Sequence, residues 1–414
     1  MTPTKRTLLT AAALSLCAAT FHARSAQAAD TIKIGATLPL TGAEARIGGF
    51  YKEGYEYAFE QQNKNGGVKV GDKTMKVELQ LLDDTSTQAT AVSLADRLIN
   101  SDKVDFLLGT YATNLVEAQS AAAEQNQMLY VNGGGAASAI YKRGYKWVFG
   151  LLAPVELLAD SMMKWVDEQQ KAGKLPKPAK IALLWENTSH GKDFRKGVSE
   201  FAKKSGGGYQ VVVDESFELN GKDFSALLGK VKAADADLFL ADAHLPDYIT
   251  MHRQYVTSGM CHKVASYGAR GSEKQAAEAL GKKNVEYVLS AVWWSPLLAE
   301  KSKLDKEFVE GFKAKHKRDP EWYQALGYET ARALFTAIEQ AGTLDKTKVR
   351  EKLVVMKIPS ILPGGELTFP AEFGQQSHAP FVVQQNQPDG SAPIIAPADS
   401  ATGKGVAPNP NCGK

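Results

Sequence analysis

The sequence predicts an α/β protein built from two lobes, each a mostly parallel sheet with helices on both faces. Two observations support this fold class. Strand-like and helix-like segments alternate between residues 33 and 131, and the same alternation returns between residues 181 and 258. Alternation of this kind is typical of parallel sheets covered by helices, and two separate runs indicate two such sheets.

Each strand or helix in these runs is indicated by the spacing of its apolar residues or by the residues at its ends. The first run comprises strands at 33–39, 77–81, 104–108 and 128–131, with helices at 50–61, at 87–99 and after a cap at Thr113. The second run comprises strands at 181–185, 209–217 and 237–241, with helices at 192–203, 224–234 and 247–258. A strand at 286–293 and helices at 304–315 and 323–341 follow. The polar segment after Pro363, with scattered Pro and Gly, is predicted as turns and loop.

The first 28 residues have the pattern of a secretory signal peptide. Lys5 and Arg6 precede an apolar run at 8–20, and small residues flank Gln27 at a cleavage site after Ala28. That run is too short to cross ~30 Å of hydrocarbon, so a membrane anchor is the less favoured alternative. Lipid attachment at Cys17 is also disfavoured, because a leucine precedes it where a small residue is expected.

Charge and cysteine usage limit the possible partners. Three of the 49 basic residues lie in the signal segment, which leaves 46 against 46 acidic residues. A neutral chain does not have the basic surplus of a nucleic-acid binder, so we predict no nucleic-acid partner. Cys261 and Cys412 remain in a compartment that permits disulfides. They form either a bridge that holds the C-terminal tail, which is favoured, or two free thiols.

Motifs of catalysis and cofactor binding are absent from the sequence. There is no G-x-S-x-G, H-E-x-x-H, C-x-x-C or P-loop pattern. Three glycines at 133–135 follow a strand, but Ser138 stands where a dinucleotide motif needs its last glycine. His244, His252 and His262 are spaced by eight and ten residues, which fits no recurrent pattern of metal ligands. We therefore predict no metal and no cofactor.

Two loops of small and hydroxyl residues follow predicted strands, at 109–114 and 132–138. In open α/β sheets, ligands bind beyond the carboxyl ends of the strands. Exposed N–H groups at the start of a helix attract anions. The two loops therefore predict a site for a carboxylate, with ordinary turns and helix caps as the alternative.

Five short segments, in a particular order and spacing, resemble one known family. They are residues 34–42, 82–85, 143–145, 190–194 and 222–227. The chain resembles the periplasmic leucine/isoleucine/valine-binding proteins, which are receptors of ABC importers, over residues 31–390. The resemblance implies two lobes joined by a hinge of three strands, which close on a ligand like a Venus flytrap. It places one lobe at 29–152 plus 294–355 and the other at 153–293 plus 356–414, after the signal at 1–28.

The resemblance also implies which residues hold the ligand's carboxylate. Thr113 matches the family's hydroxyl at a helix start, and Gly134 and Ala136 match the second carboxylate loop. Ala136 stands where the family has a threonine, so one hydroxyl is missing. Ser138 or Tyr111 is the candidate replacement.

The second lobe departs further from the family. His190 and His244 stand in place of two tyrosines that cover the ligand, and Arg270 stands near the glutamate that pairs with the ligand's ammonium. An arginine repels an ammonium and suits a carboxylate, a carbonyl or an aromatic face. The alternative is a solvated Arg270 beside the cleft.

Several further residues are candidates to line the cleft. The resemblance places Arg46 and Ile47 in the loop that lines the side-chain pocket, and Tyr323 is a further candidate. For Trp293 and Trp294, packing in the hinge is favoured over a place in the cleft.

These features predict a periplasmic solute-binding receptor that captures a small organic carboxylate and delivers it to ABC permease subunits in the inner membrane. Aromatic acids are included in that class, and the receptor is predicted to act as a monomer without catalysis. A branched-chain amino acid, another amino acid or an amide is the alternative ligand, and a membrane receptor is the alternative partner. The remaining class is a hydrolase that uses Ser189 and His190, which is disfavoured because adjacent residues on a turn rarely point at each other.

Overall fold

The structure is a computed structural model that describes residues 31–412. The signal peptide predicted at 1–28 lies outside the described residues. Within residues 31–412, no helix combines the length and the apolar character that a membrane crossing requires.

The first sheet has six strands with buried, mostly apolar centres. They are β1 (Thr31–Leu38), β2 (Val68–Val70), β3 (Lys73–Asp83), β4 (Phe106–Leu108), β5 (Tyr130–Asn132) and β6 (Val148–Gly150), in the spatial order β2-β3-β1-β4-β5-β6. All neighbours are parallel except β2 and β3, which form an antiparallel pair at one edge. Strands as short and apolar as β4 and β5 are typical of a parallel sheet covered on both faces.

Four helices follow the strands of this sheet in turn. They are α1 (Ala45–Lys64), α2 (Gln88–Asn100), α3 (Thr113–Gln125) and α4 (Ser138–Tyr141). Thr113 is the first residue of α3 and Ala112 occupies the cap position, so the prediction of Thr113 as the cap is wrong by one residue. Because Thr113 does not occupy the cap position, its hydroxyl is available for a different hydrogen bond.

The second sheet contains most strands after residue 178. In chain order these strands are β7 (Ala179–Glu186), β8 (Tyr209–Phe217), β9 (Leu238–Asp242), β10 (Val264–Tyr267), β11 (Val288–Val292), β12 (Lys357–Pro359), β13 (Glu366–Thr368), β14 (Val382–Gln385) and β15 (Ile394–Ala396). The sheet has the order β15-β14-β11-β10-β9-β7-β8, while β12 and β13 pair only with each other. Five consecutive strands of this sheet, β11, β10, β9, β7 and β8, are parallel to one another.

The remaining helices cover the second sheet or return to the first. They are α5 (Val155–Lys171), α6 (Ser189–Lys204), α7 (Ser225–Ala233), α8 (Leu245–Thr257), α9 (Lys274–Leu280), α10 (Lys303–His316), α11 (Trp322–Ala341) and α12 (Lys346–Val354). Short 3-10 helices lie at Lys282–Val285, Pro296–Glu300 and Ala371–Phe373. Helix α11 packs closely on α1, where a Cβ on Gly54 would lie 2.4 Å from the carbonyl oxygen of Gln324.

The predicted fold class is confirmed, since two lobes of mixed α/β structure each contain a parallel-dominated sheet. The chain passes between them after β6, after β11 and after α12. The exact bounds of the two lobes stay a prediction.

The prediction of turns and loop after Pro363 is wrong in part. Strands β14 and β15 extend the second sheet in antiparallel fashion, with Val382, Val383 and Ile394 buried. Each strand is three or four residues long, and so short a run shows no clear period in the sequence. No prediction covered α5, α9, α12 or β10.

A disulfide between Cys261 and Cys412 fixes the end of this tail. The two Cα atoms are 5.3 Å apart, and 151 residues separate the cysteines in the sequence. The backbone N–H of Asn409 also donates to the carbonyl of Lys263, at 2.8 Å. Both contacts hold the tail beside the start of β10.

Candidate functional site

A small cavity lies where the carboxyl ends of the two parallel sheets face each other. Most of its walls are residues that come one to four positions after a strand. They are Tyr111, Ala112, Thr113, Gly134, Ala136, Leu152, His190, His244, Arg270, Trp293 and Trp322. Seven of the eight ligand contacts expected from the sequence therefore line one cavity, as expected where strand ends of α/β sheets meet. Their role in binding stays a prediction.

The first lobe contributes two loops that are fastened to each other. The backbone N–H of Ala136 donates to Thr113 Oγ1 at 3.1 Å, which holds the loop after β5 against the start of α3. Gly134 packs against the same segment, because a Cβ there would lie 2.0 Å from the carbonyl oxygen of Thr110. The wall is therefore a rigid backbone surface at the N-terminus of a helix, where anions are favoured.

Ser138 does not line the cavity. Its hydroxyl donates to Glu156 Oε1 at 2.8 Å, and its backbone N–H donates to Asp193 Oδ2 at 2.8 Å. Helix α4 begins at Ser138, which is bonded to α5 through its hydroxyl and to α6 through its backbone N–H. Of the two candidates for the missing hydroxyl, only Tyr111 reaches the cavity.

Arg270 enters the cavity from the loop after β10 and is 4% exposed, so the alternative of a solvated arginine is wrong. Its guanidinium carbon lies 5.1, 5.6 and 5.9 Å from the ring centres of Trp322, Tyr323 and Tyr111. Nη2 donates to the Tyr111 hydroxyl, and Nε lies 3.5 Å from Glu273 Oε1. Nε and Nη1 are buried and have no hydrogen-bond partner among residues 31–412.

His244 is held between carboxylates from both lobes. Its Nδ1 lies 2.8 Å from Glu44 Oε1, and its Nε2 lies 3.6 Å from Glu186 Oε2. Burial alone would lower the pKa of His244, but the two carboxylates raise that pKa to about 9. Burial alone would raise the pKa of Glu44, but the charge of His244 lowers that pKa below the ordinary value. The pair is therefore ionised at neutral pH.

His190 has a similar partner within the second lobe. Its Nδ1 lies 2.7 Å from Asp242 Oδ2. Burial opposes the charged form of His190, but Asp242 raises its pKa above the ordinary value. The cavity therefore has cationic groups at His244 and Arg270, together with His190, whose charged form is favoured by Asp242, and carboxylates lie behind all three.

Glu186, His190 and Asp242 bring three atoms of the metal-ligand type within 4.8 Å of one another. The Nδ1 of His190 is only 2.7 Å from Asp242 Oδ2, a hydrogen-bonding distance, so these two atoms share a proton. We therefore assign the contacts in this group to charge pairing. His252, one of the histidines weighed for a metal in the sequence, lies elsewhere and contacts the Asn284 carbonyl at 2.7 Å.

The remaining candidates divide between the cavity and its surroundings. Arg46 is exposed and pairs with Glu278 at 3.5 Å, so its predicted place in the pocket is wrong. Ile47 is part of the hydrophobic core. Trp293 lines the cavity and also donates its ring N–H to the Ala153 carbonyl at 3.0 Å, so it serves the hinge as well. Trp294 donates to Asp305 instead, at 2.7 Å.

The site contains residues that sequence reasoning did not identify. Glu186 and Asp242 are the last residues of β7 and β9, so the strand-end rule that selected the first-lobe loops also applies to them. Glu44 carried no such signal, because its partner is 200 residues away. Trp322 begins a helix and showed no sign of facing the cleft.

The side chains fill most of the space that they enclose. The cavity volume is about 10 Å³, roughly the space that one buried water occupies. Any larger molecule binds only if the Arg270–Tyr111 contact breaks or the lobes move apart. Such a site suits a small ligand whose contacts with the protein replace contacts that the protein now makes within itself.

Two parallel-sheet lobes with a polar cavity between their strand ends define a ligand-binding receptor fold. The chain belongs to the periplasmic binding protein family, whose model matches residues 31–391. A leucine-, isoleucine-, valine-, threonine- and alanine-binding protein of Pseudomonas aeruginosa is 28% identical over 361 residues, which cover 86% of this chain and 90% of that protein.

Solved structures show the same fold. A leucine-binding protein from Thermotoga maritima matches with a TM-score of 0.75 and 24% identity, over 88% of this chain and 98% of that one. A solute-binding protein of an ABC transporter from R. palustris, in complex with benzoate, matches with a TM-score of 0.73 and 18% identity, over 91% and 98% of the two chains. At these identities the two structures establish the fold alone.

Proposed function

We propose that this chain is the solute-binding receptor of an ABC importer and that it captures a small organic carboxylate, with aromatic acids favoured. The observation that carries the proposal is the buried Arg270, whose Nη1 and Nε have no hydrogen-bond partner in the part of the chain that the structure describes. A buried charge with unpaired donors is costly, and a carboxylate that approaches the guanidinium end-on accepts from Nη1 and Nη2 together. Arg270 therefore supplies the strongest anchor for an acidic group in the cavity.

The surroundings of Arg270 support a ring next to that acid. Trp293, Trp322 and Tyr111 line the cavity, and Trp293 and Trp322 lie 5.1 Å apart between ring centres. Aromatic side chains favour stacked or edge-to-face contact with another ring. The benzoate in the R. palustris protein is an example of such a ligand on the same fold.

A branched-chain or other amino acid is the second candidate, because two buried carboxylates could meet an ammonium. Glu186 Oε2 and Glu273 Oε2 are buried, and no described residue makes a hydrogen bond to either oxygen. The relative from P. aeruginosa is named for binding leucine, isoleucine, valine, threonine and alanine. In this reading the ligand's carboxylate lies at Thr113 and Gly134, and Arg270 is neutralised by Glu273.

The family membership supports the rest of the proposal. The chain is exported through the signal at 1–28, is cleaved after Ala28 and acts in the periplasm. It delivers the ligand to permease subunits in the inner membrane as a monomer, without a cofactor, a catalytic step or a nucleic-acid partner. Presentation of the ligand to a membrane receptor instead of a permease is the alternative.

Titration calorimetry on the mature chain tests the ligand class, with benzoate and leucine as probes. We expect benzoate to bind, Arg270→Met to abolish binding, and Arg270→Lys to retain it weakly because a lysine lacks the two-pronged geometry. Arg46→Met is the matched control, because Arg46 is exposed outside the cavity. Binding of leucine that Arg270→Met leaves intact would contradict the carboxylate proposal and favour the amino-acid reading.

A further inference from the structure

The basic groups on the walls of the cavity between the lobes already have buried carboxyl partners. His190 lies 2.7 Å from Asp242, His244 lies 2.8 Å from Glu44, and Arg270 lies 3.5 Å from Glu273. A further buried carboxyl group, that of Glu186, lies 4.0 Å from His190 and 3.6 Å from His244. Even with every one of these bases charged, the carboxyl groups outnumber them. An anion that enters therefore adds a negative charge to a site without a surplus of positive charge.

The pair of Arg270 and Glu273 is where an entering acid has the largest effect. Glu273 Oε1 lies 3.5 Å from Arg270 Nε and accepts from the Tyr323 hydroxyl. Glu273 Oε2 is buried, and none of residues 31–412 makes a hydrogen bond to it. Burial of an ionised oxygen without a donor is far more costly than burial of a neutral carboxyl group. The charge on Glu273 therefore depends mainly on Arg270 and one hydroxyl.

The other titratable groups around Glu273 do not compensate its charge. They come from the loop after β4, from α8 and from the residues before α1 and α11, and they are Tyr111, Tyr248, Glu44 and Glu321. The tyrosines are neutral because burial raises the pKa of each, and the two glutamates repel a negative charge. Burial, opposed by Arg270, raises the pKa of Glu273 to about 7. Glu273 therefore gains or loses its proton near neutral pH.

An acid bound at Arg270 has to share that guanidinium with Glu273. The acid accepts from Nη1 and Nη2, while Glu273 stays beside Nε, so two carboxyl groups meet one cation in a buried site. A like charge at this distance disfavours the ionised form of a carboxyl group. The acid has two donors on the guanidinium, whereas one oxygen of Glu273 has none among the described residues. Glu273 is therefore the group that becomes neutral.

We propose that the receptor captures an acid together with a proton, and that Glu273 takes the proton while the acid stays ionised at Arg270. This inference rests on the proposed function, because it requires an acid at Arg270. The proton comes from the solvent when the acid enters and returns to the solvent when the acid leaves. Affinity therefore falls as the pH rises through the range in which Glu273 of the free protein becomes ionised.

Calorimetry with benzoate on the mature chain at pH 8 counts the proton. Phosphate and Tris differ in their heat of ionisation, so the difference between the heats of binding in the two buffers gives the number of protons taken up. We expect about one proton per benzoate, and an affinity about ten-fold lower at pH 8 than at pH 6. Equal heats in the two buffers would overturn the inference and leave the proposed function intact, whereas a failure of benzoate to bind would overturn both.

Matched variants assign the proton to Glu273. Glu273→Gln keeps the volume and cannot take up a proton, so we expect equal heats in the two buffers. At pH 8 it should bind benzoate as tightly as the wild type does at pH 6. Glu278→Gln, exposed on α9 beside Glu273, is the control and should take up the same number of protons as the wild type. Proton uptake that persists in Glu273→Gln would place the proton on another group and overturn the inference. The wild-type comparison of buffers decides against the inference on its own if Glu273→Gln does not fold.

Discussion

His244 and Glu44 form a buried ion pair that joins the two lobes, with Nδ1 2.8 Å from Oε1. Glu44 directly precedes α1 on the first sheet, and His244 directly precedes α8 on the second. Both residues are less than 10% exposed. The contact therefore depends on the relative position of the lobes, and its strength depends on the charge of one imidazole.

This pair should make stability depend on pH. Because the pKa of His244 rises from 6.5 to about 9, its contribution is fully present below pH 6.5 and is lost as the pH rises through 9. The lowered pKa of Glu44 acts in the opposite direction, so its contribution is lost only in acid. Urea unfolding of the wild type should show stability that declines between pH 7 and 10 by about 3 kcal/mol more than in His244→Gln.

The exposed His378→Gln is the control for this titration and should follow the wild-type curve. Parallel curves for wild type and His244→Gln over the whole range would show that the imidazole does not carry its charge in the folded state.

Gly134 should tolerate no side chain. A Cβ there would meet the Thr110 carbonyl oxygen at 2.0 Å and the Tyr111 Cα at 2.9 Å, and both are backbone atoms. We expect Gly134→Ala to lower the free energy of unfolding by about 1–3 kcal/mol and to weaken cleft binding. Gly49 lies inside α1, and apart from its own helix turn no atom of residues 31–412 lies within 4 Å of its Cβ position. Gly49→Ala should therefore stabilise the protein by up to about 1 kcal/mol, which chemical denaturation would measure.

Thr113 should matter through its hydroxyl rather than its shape. Thr113→Val leaves the buried N–H of Ala136 without the acceptor that it now has at 3.1 Å, at a cost of about 1–3 kcal/mol. Thr113→Ser keeps the oxygen and should keep both stability and binding. If Val and Ser variants unfold at the same urea concentration, the bond between the two loops contributes nothing.

The disulfide should contribute to stability but not to binding. Cys261 precedes β10, and Arg270 follows the other end of the same strand, so the bridge and the cavity are at opposite edges of the sheet. We expect the Cys261→Ser, Cys412→Ser double variant to lose about 2–5 kcal/mol in denaturant titrations. Its affinity for the cleft ligand should equal that of the wild type. A reducing agent should lower the stability of the wild type and leave the double variant unchanged.

The parts of the fold that the sequence predicted are those with long local patterns. Strand β8 was predicted with both ends correct at Tyr209–Phe217, because its alternating residues extend over nine positions. Strands β14 and β15 lack such a pattern: the buried pairs Val382-Val383 and Ile394-Ile395 are too short to show a period. Their place in the second sheet depends on β11, a strand about 90 residues earlier in the chain.

The residues of the candidate site also fall into two groups, those that the sequence indicated and those that it did not. Thr113 and Gly134 follow predicted strands, so strand-end reasoning and the family resemblance both indicated them, whereas Arg270 was indicated by the resemblance alone. The resemblance did not show that Arg270 is buried among Trp322, Tyr323 and Tyr111, since two of those rings come from α11. Glu44 and Glu273 were not identified, because a carboxylate becomes part of a site through partners that only the folded chain brings near.

The bond between Arg270 and Tyr111 has a consequence for how tightly any acid can bind. A carboxylate that takes the Nη2 hydrogen now bonded to the Tyr111 hydroxyl displaces that hydroxyl, so Tyr111 competes with an acid for this donor. The free energy of the displaced bond is then subtracted from that of the ligand's own contacts, and each 1.4 kcal/mol of it lowers the affinity ten-fold. Tyr111→Phe removes the competitor while keeping the ring, so we expect it to raise the affinity for an acid without any change at Arg270, the residue that we propose binds it.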